Sequence, residues 1–582
     1  MMDNKNLIGE DNLAAILVIF GGTGDLTHRK LMPALYNMLL DGLLPKHFRV
    51  VSIGRRDKTE DQYREDIRSS IEKHSRNKID ESKWAVLKNM IKYYRFDFRD
   101  HDGYAGLKAY LDDLDVESET KGNRIYYLAV APEYFETIVQ GLHLSGMTKS
   151  KEGWSRLVIE KPFGKDLATA RHLNQKLLKV FDESNIYRID HYLGKEMIQN
   201  IMVLRFCNLI FESIWNNKFI DNIQISLTEK LGVGTRGEYY EKSGAMRDMV
   251  QNHIMQILSL VAMEPPVNLN TDSIRTEKLK VIEAIEDITP QFLRDNVVFG
   301  QYGRGVIDGV PVVGYREEDK VPRDSNTETF VALKLHINNF RWAGTPFYIR
   351  TGKRLGIYSA EIVIQFKNLP NILYFKDGNI QEPNLLVIRI QPNVGVFFQF
   401  NTKDFSTHHD IVATKMDTSY AIPGQGNTPE AYERLIYDIL RGDSTLFSRW
   451  DEVEAAWGWI DSIHNAWAQA GVETKPYTSG TWGPSAAIAL TGDPDGSCKL
   501  VARDPLEGFG ELRLAVIEGG EDAAATVVGD HDTQSRTGLS RTEHQAGQIV
   551  AQGWEFYAVT AALFVTLAFP GFVYRYLLKH RH

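Results

Sequence analysis

Short apolar runs alternate with helix-spaced segments through the first third of the chain. Residues 14–20 form one apolar run that stops at Gly21, the pattern of a strand buried on both faces. Residues 30–40 follow with apolar positions at helical spacing. Further strands are expected at 48–53, 124–131 and 156–160. Strands alternating with helices predict a doubly wound parallel sheet, placed over residues 12–187. From 188 to 490 the pattern becomes the two-residue alternation of antiparallel strands, at 220–227, 329–337, 361–366, 385–390 and 394–400. Helices are expected over 195–206, 244–262 and 430–441. The expected fold class is an α/β, Rossmann-like coenzyme domain followed by an α+β domain with a large antiparallel sheet.

The last part, 491–582, changes character again. Lysine is absent from 500 to 578, and 519–547 is rich in Gly, Ala, Asp and Thr, which reads as weakly ordered. Residues 556–574 carry no charge over nineteen positions, long enough for a membrane span. Arg575, Lys579 and Arg581 would then favour a cytoplasmic C-terminus. A single span of that orientation would part the body from cytosolic nucleotide. Membrane contact through 556–574 is therefore not the favoured reading. A packed or amphipathic helix, or an unselected tail such as a shifted reading frame, are the alternatives.

Composition narrows the class. The 582 residues suffice for roughly three or four domains, and 43% hydrophobic with 25% charged residues is ordinary for a soluble protein. A net charge of −9 argues against a general nucleic-acid binder, although a local basic pocket for phosphate is compatible with it. Cys207 and Cys498 match no metal or redox spacing, and two cysteines in such a length suit a reducing compartment. Residues 1–12 are polar and charged, so no signal peptide is expected and the location expected is cytoplasmic.

The chemistry lies where the elements end. Gly21 and Gly24 sit between a strand and a helix, where backbone can approach a pyrophosphate and a helix N-terminus offers N–H groups. A plain tight turn is the bland alternative. After the second strand come Arg55 and Arg56, which favour a 2′-phosphate and hence NADP; Asp57, one residue later, leaves NAD as second choice. Lys161 ends another strand. The stretch 188–196 gathers Asp190, His191, Tyr192 and Lys195; on a helix, His191 and Lys195 would share a face toward one phosphate. Asp190 could instead orient an imidazole from elsewhere, and His253 is one candidate. A buried structural network is the competing reading for the first, and a core histidine for the second.

Together these residues resemble the glucose-6-phosphate dehydrogenase family. The match runs in order over about 16–484 through FGGTGDLTHRKL, RLVIEKPFGKDL, RIDHYLGKE, RDMVQNH, RTGKRL, IRIQPN, EAYERLIYDILRGDSTLFSRWDEVEAAW and GTWGP. The resemblance implies oxidation of D-glucose 6-phosphate at C1 to the 1,5-lactone with hydride transfer to NADP, the first step of the oxidative pentose phosphate pathway. It implies His253 as general base and Asp190 as the carboxylate that orients it. It assigns substrate binding to Lys161, His191, Tyr192, Lys195, Glu229, Asp248 and Lys353. Cofactor contacts fall to Gly21, Thr23, Gly24, Asp25, Leu26, Arg55, Asp97, Phe98 and Lys161, and no metal is implied. A homodimer or homotetramer is expected, on the resemblance and on a large sheet that needs a covered face. Tyr358 stands where many members carry a base, so one substrate contact is missing or supplied by Arg354. Alternatives are a related hexose-phosphate dehydrogenase with another sugar or NAD preference, and a membrane-tethered regulatory protein that keeps the fold.

Overall fold

The computed structural model describes residues 13–150, 152–370, 382–404, 411–419 and 429–490, all within one compact unit. The segments expected at 519–547 and 556–574, and Cys498, lie outside the described residues.

Six strands form the first sheet: β1 (Ala15–Phe20), β2 (Phe48–Gly54), β3 (Ile91–Arg95), β4 (Arg124–Leu128), β5 (Ser155–Ile159) and β6 (Ile186–Arg188). All pairings are parallel, in the order β3-β2-β1-β4-β5-β6. The continuous apolar run of β1 has a direct cause. Ile16, Val18 and Phe20 enter one core, while Ala15, Leu17 and Ile19 enter the core on the opposite face. Strands β3 and β6 were not expected: β3 reads Ile-Lys-Tyr-Tyr-Arg straight after a helix, and β6 has three residues.

The second sheet has ten strands: β7 (Ile220–Thr228), β8 (Val297–Ile307), β9 (Val310–Val312), β10 (Phe330–His336), β11 (Pro346–Gly352), β12 (Ser359–Phe366), β13 (Leu385–Gln391), β14 (Gly395–Lys403), β15 (Ile411–Ser419) and β16 (Lys475–Ser479). Their order is β15-β14-β13-β12-β7-β11-β10-β8-β16, with β9 on β8. The sheet is antiparallel except at two pairings, β7 with β11 and β8 with β16, which makes it mixed. Ile223, Ile225, Ile362 and Ile364 point into one core with Ile257, Val261, Trp457 and Ile460 of the helices Met255–Ala262 and Trp450–Ala470.

One departure from expectation, and the packing of one expected helix, matter for the site. The helix expected at 244–262 is interrupted: Gly244 takes φ 59°, then Met246–Ile254 is a π-helix, and only Met255–Ala262 is α. The helix Ala431–Arg441, far along the sequence, packs back on the first sheet's helices. Its Leu435, Ile436 and Ile439 share a core with Leu17 and Leu35, and its buried Glu433 accepts hydrogen bonds from Asn37 Nδ2 at 3.0 Å and Arg76 Nε at 2.8 Å.

Candidate active site

The carboxyl ends of the parallel strands gather the cofactor-type residues on one edge. Gly21, Thr23, Gly24, Asp25 and Leu26 follow β1, Arg55 follows β2, and Asp97 and Phe98 follow β3. Gly21 has φ 95°, and a Cβ there would lie 2.3 Å from the Ala129 carbonyl oxygen. The turn is closed by Gly24 N–H donating to the Gly21 carbonyl at 2.8 Å, and by the buried Thr27 hydroxyl donating to it at 3.0 Å. This bare backbone ahead of a helix fits a dinucleotide pyrophosphate. Gly21→Ala is expected to lower the urea midpoint, because the forced backbone conformation and overlap cost about 1–3 kcal/mol; an unchanged midpoint would mean that the turn relaxes freely.

Arg55 is exposed and donates no hydrogen bond among the described residues. Asp57 is occupied by Arg95 at 2.9 Å. Asp97 pairs with Arg99 at 2.6 Å, and that bond, with help from Arg55, holds its carboxyl down at about 2. Phe98 packs edge-on against Tyr134. Leu26 lies partly buried against the core, so it serves packing as well as the turn.

The second cluster begins at the ends of β5 and β6, which supply Lys161 and Asp190. His253 Nδ1 lies 2.5 Å from Asp190 Oδ1, and both side chains are almost wholly buried. A carboxylate only accepts, so Nδ1 carries the proton and Nε2 presents its lone pair. Lys161 Nζ stands 2.8 Å from that Nε2, 3.3 Å from the Asp248 carbonyl oxygen and 3.6 Å from Asp248 Oδ1. Burial lowers the His253 imidazole from its ordinary 6.5, Asp190 opposes this, and the Lys161 charge adds to it. Burial alone would raise the Asp190 carboxyl; the charge and hydrogen bond of His253, with His191 and Lys161, hold it well below the carboxylate range instead. Asp248 behaves alike: burial pushes up, but Lys161, Lys353, Arg236 and His253 bring it down to about 2.

The π-helix decides this geometry. Five residues along an α-helix turn a side chain by about 140° away from its predecessor. The wider i→i+5 winding returns Asp248 and His253 to one side, and both reach Lys161.

Residues 191–195 are not helical, contrary to the expectation for His191 and Lys195. They form turns, with Leu193 N–H donating to the Asp190 carbonyl and Lys195 N–H to that of Tyr192, both at 3.0 Å, and Lys195 is the N-cap of the helix Glu196–Phe206. The turns pack His191 edge-on and Tyr192 at a tilt against His253, at ring separations of 4.6 and 4.3 Å. Lys195 Nζ lies over the Tyr192 ring at 3.7 Å and donates to Gln391 Oε1. Burial brings Lys195 down to about 8; burial with the His253 and Lys161 charges drives His191 well below 6.5.

Glu229 and Lys353 meet because β7 and β11 run parallel with Thr228 beside Gly352, so both strands end at the same place. Lys353 Nζ is 2.5 Å from Glu229 Oε2. Arg354 is paired with Glu318 at 3.2 Å, and Tyr358 lies beside Glu229 and Gln391. Arg354 is therefore committed elsewhere, and Tyr358 itself lines this side. Sequence reading gave no role to Gln391, at the end of β13 in IRIQPN, or to Tyr239, whose hydroxyl donates to Asp248 Oδ1 at 3.2 Å. The place of Gln391 at a strand end was the available signal; Tyr239 offered none. Asp190, His191 and His253 bring possible metal-ligating atoms within 4.8 Å of one another, but Asp190 and His253 spend theirs on each other and the Lys161 ammonium faces the site.

Residues 18–200 match the family model described as glucose-6-phosphate dehydrogenase, NAD binding domain, and 202–497 match that of the C-terminal domain. The chain belongs to the glucose-6-phosphate dehydrogenase family. Glucose-6-phosphate 1-dehydrogenase of Bacillus subtilis is 48% identical over 470 residues, covering 81% of this chain and 95% of the relative. That of Chlamydia pneumoniae is 45% identical, covering 82% and 94%. A solved glucose-6-phosphate dehydrogenase in complex with its substrate glucose 6-phosphate has TM-score 0.76 at 32% identity, covering 82% and 97%; the Mycobacterium avium enzyme has 0.70 at 33%, covering 82% and 96%. The chain is thus an oxidoreductase with a nicotinamide-nucleotide domain. Residues 537–579, where sequence reading found no resemblance, match a family described as protein of unknown function (DUF2818). No helix among the described residues is long and apolar enough to cross a membrane.

Proposed function

We propose that the chain oxidises D-glucose 6-phosphate at C1 to 6-phospho-D-glucono-1,5-lactone with NADP as acceptor, and that His253, oriented by Asp190, is the general base. The observation that carries the reading is the 2.5 Å bond from His253 Nδ1 to Asp190, which leaves the Nε2 lone pair of that imidazole free to accept a proton. The C1 hydroxyl proton passes to Nε2, and the imidazolium that forms sits against the Asp190 carboxylate. A nicotinamide nucleotide held by Gly21, Thr23, Gly24 and Arg55 at the ends of β1 and β2 would supply the acceptor for the hydride that leaves C1. Lys161 holds the Nε2 position without substrate, and the sugar hydroxyl replaces it there while Lys161 keeps Asp248. His191, Tyr192 and Lys195 hold the phosphate, whose dianion offsets the burial that disfavours charge on His191 and Lys195. Glu229, Asp248 and Lys353 bind sugar hydroxyls. A homodimer or homotetramer in the cytoplasm completes the proposal; the largely exposed strand β15 leaves sheet surface to cover.

The test is reduction of nicotinamide by the purified full chain, followed by near-ultraviolet absorbance. Reduction should require glucose 6-phosphate, and folded protein that binds NADP yet reduces none would overturn the substrate assignment. NADP is favoured over NAD because Arg55 donates no hydrogen bond among the described residues, while Asp57 is held by Arg95. Arg55→Ala should raise KM for NADP by about 10- to 100-fold, the worth of a charge-assisted phosphate contact, and leave that for NAD nearly unchanged. Equal changes for both would remove Arg55 from 2′-phosphate recognition.

A further inference from the structure

We propose that Glu328 is a positioning residue for the reaction: it anchors the start of the π-helix that carries Asp248 and His253, and its charge state sets how firmly that helix is held. The proposal rests on the reading of His253 as base.

Glu328 is 4% exposed and lies just before β10. It meets the π-helix at its first residues. Ala245 N–H donates to the Glu328 carbonyl at 3.0 Å, and Met246 N–H donates to Glu328 Oε1 at 3.1 Å. Those amides lie at the start of the helix, where N–H groups lack helical partners and negative charge is favoured. Gly244, the residue before them, has φ 59°, and a Cβ on it would lie 2.2 Å from Glu328 Oε1. Glycine is therefore required both by the turn and by the carboxyl pressed against it. The next residue, Thr329, accepts through its carbonyl from Lys353 N–H at 2.9 Å, so the same strand start also fixes Lys353.

The groups facing Glu328 oppose each other. Arg247 on the π-helix favours its charge, while Glu241 on the preceding helix disfavours it; Tyr240 and Tyr315 also feel the carboxyl, and Tyr315 donates to Glu241 at 2.8 Å. Burial is the largest influence and brings the Glu328 carboxyl up to about 7. Above that pH the bond to Met246 N–H is charge-assisted, and below it is a neutral one of about half the strength. The linkage has a definite sign. A carboxyl raised in the folded state binds more protons than its unfolded counterpart between 4.5 and about 7, so it costs stability as pH rises through that window. Helix anchoring at neutral pH is thus obtained against a stability cost.

The experiment compares kcat/KM for glucose 6-phosphate from about pH 5.5 to about pH 9, which brackets the Glu328 carboxyl at about 7, in the full chain, Glu328→Gln, Glu328→Ala and His253→Asn. Gln keeps the acceptor for Met246 N–H but cannot ionise. Glu328→Gln should lose about three- to tenfold at high pH, the difference between a charge-assisted and a neutral bond. Its acid limb should move from near 7 to below 6.5, where His253 alone titrates. Glu328→Ala should fall further, up to about 100-fold, as the helix start shifts. A purely structural role lowers activity without moving the limb. An unmoved limb in Glu328→Gln overturns the proposal, as does a folded Glu328→Ala of full activity; should the Ala variant not fold, the Gln profile decides alone. Near-normal turnover in His253→Asn would instead remove the base reading, which keeps the two failures apart.

Discussion

Replacing His253 with Asn is expected to lower kcat by about two to four orders of magnitude, the usual worth of a positioned general base, with a modest change in KM for glucose 6-phosphate. The asymmetry follows from the geometry. Nε2 is the atom that meets Lys161, so its loss removes proton acceptance while the side chains of His191, Tyr192 and Lys195 remain. The pH dependence has the same origin. Burial lowers His253 from 6.5, so the base is free at neutral pH and is lost as pH falls through its folded value. Steady-state kinetics on the folded variant, with NADP affinity as control, checks this. A kcat within a few-fold of the original would take His253 out of the role.

The second large effect is expected from Asp190→Asn: a loss of about three orders of magnitude in kcat or more. The amide can still accept from His253 Nδ1 through its oxygen, and its size is nearly unchanged, so the fold should persist. Its neutral charge no longer stabilises the imidazolium, and its NH2 end can present to Nδ1 and favour the wrong tautomer. The carboxylate is also a stability element. Its folded value is depressed, so its contribution is present above the ordinary 3.8 and is lost as pH falls toward the folded value. The variant should therefore be less stable at neutral pH, with the difference closing in acid; thermal unfolding at two pH values measures this. Near-normal kcat in Asp190→Asn would mean that His253 needs no counter-charge.

Much of the site was legible because the family of parallel strands ends on one edge. Once residues 14–20, 48–53 and 156–160 are read as buried parallel strands, Gly21, Arg55 and Lys161 fall at their carboxyl ends, where such sheets bind ligands. The second half was less legible. Strands β8, β11, β15 and β16 and the helix Trp450–Ala470 escaped a reading that located other strands by alternation. β11 is the clearest case: Phe347 to Gly352 are all buried, Arg350 and Thr351 among them, so its two sides do not differ in exposure. A fully buried strand has no alternation to detect.

By itself, the sequence determined the alternating β and α elements of the coenzyme half, the burial of β1 on both faces, and the residue types offered at the strand ends. Only the tertiary structure decided which of them meet. His253 finds Asp190 across 63 positions of sequence, and Lys353 finds Glu229 across 124, the latter because β7 and β11 pair parallel. Asp248 and His253 share a side only because the helix winds as π from Met246 to Ile254, with Glu328 and the Gly244 turn at its start. Periodicity records which face of an element is buried. It does not record what the element is buried against, because pairing and helix winding are settled by the packing and hydrogen bonding of segments far apart in the chain.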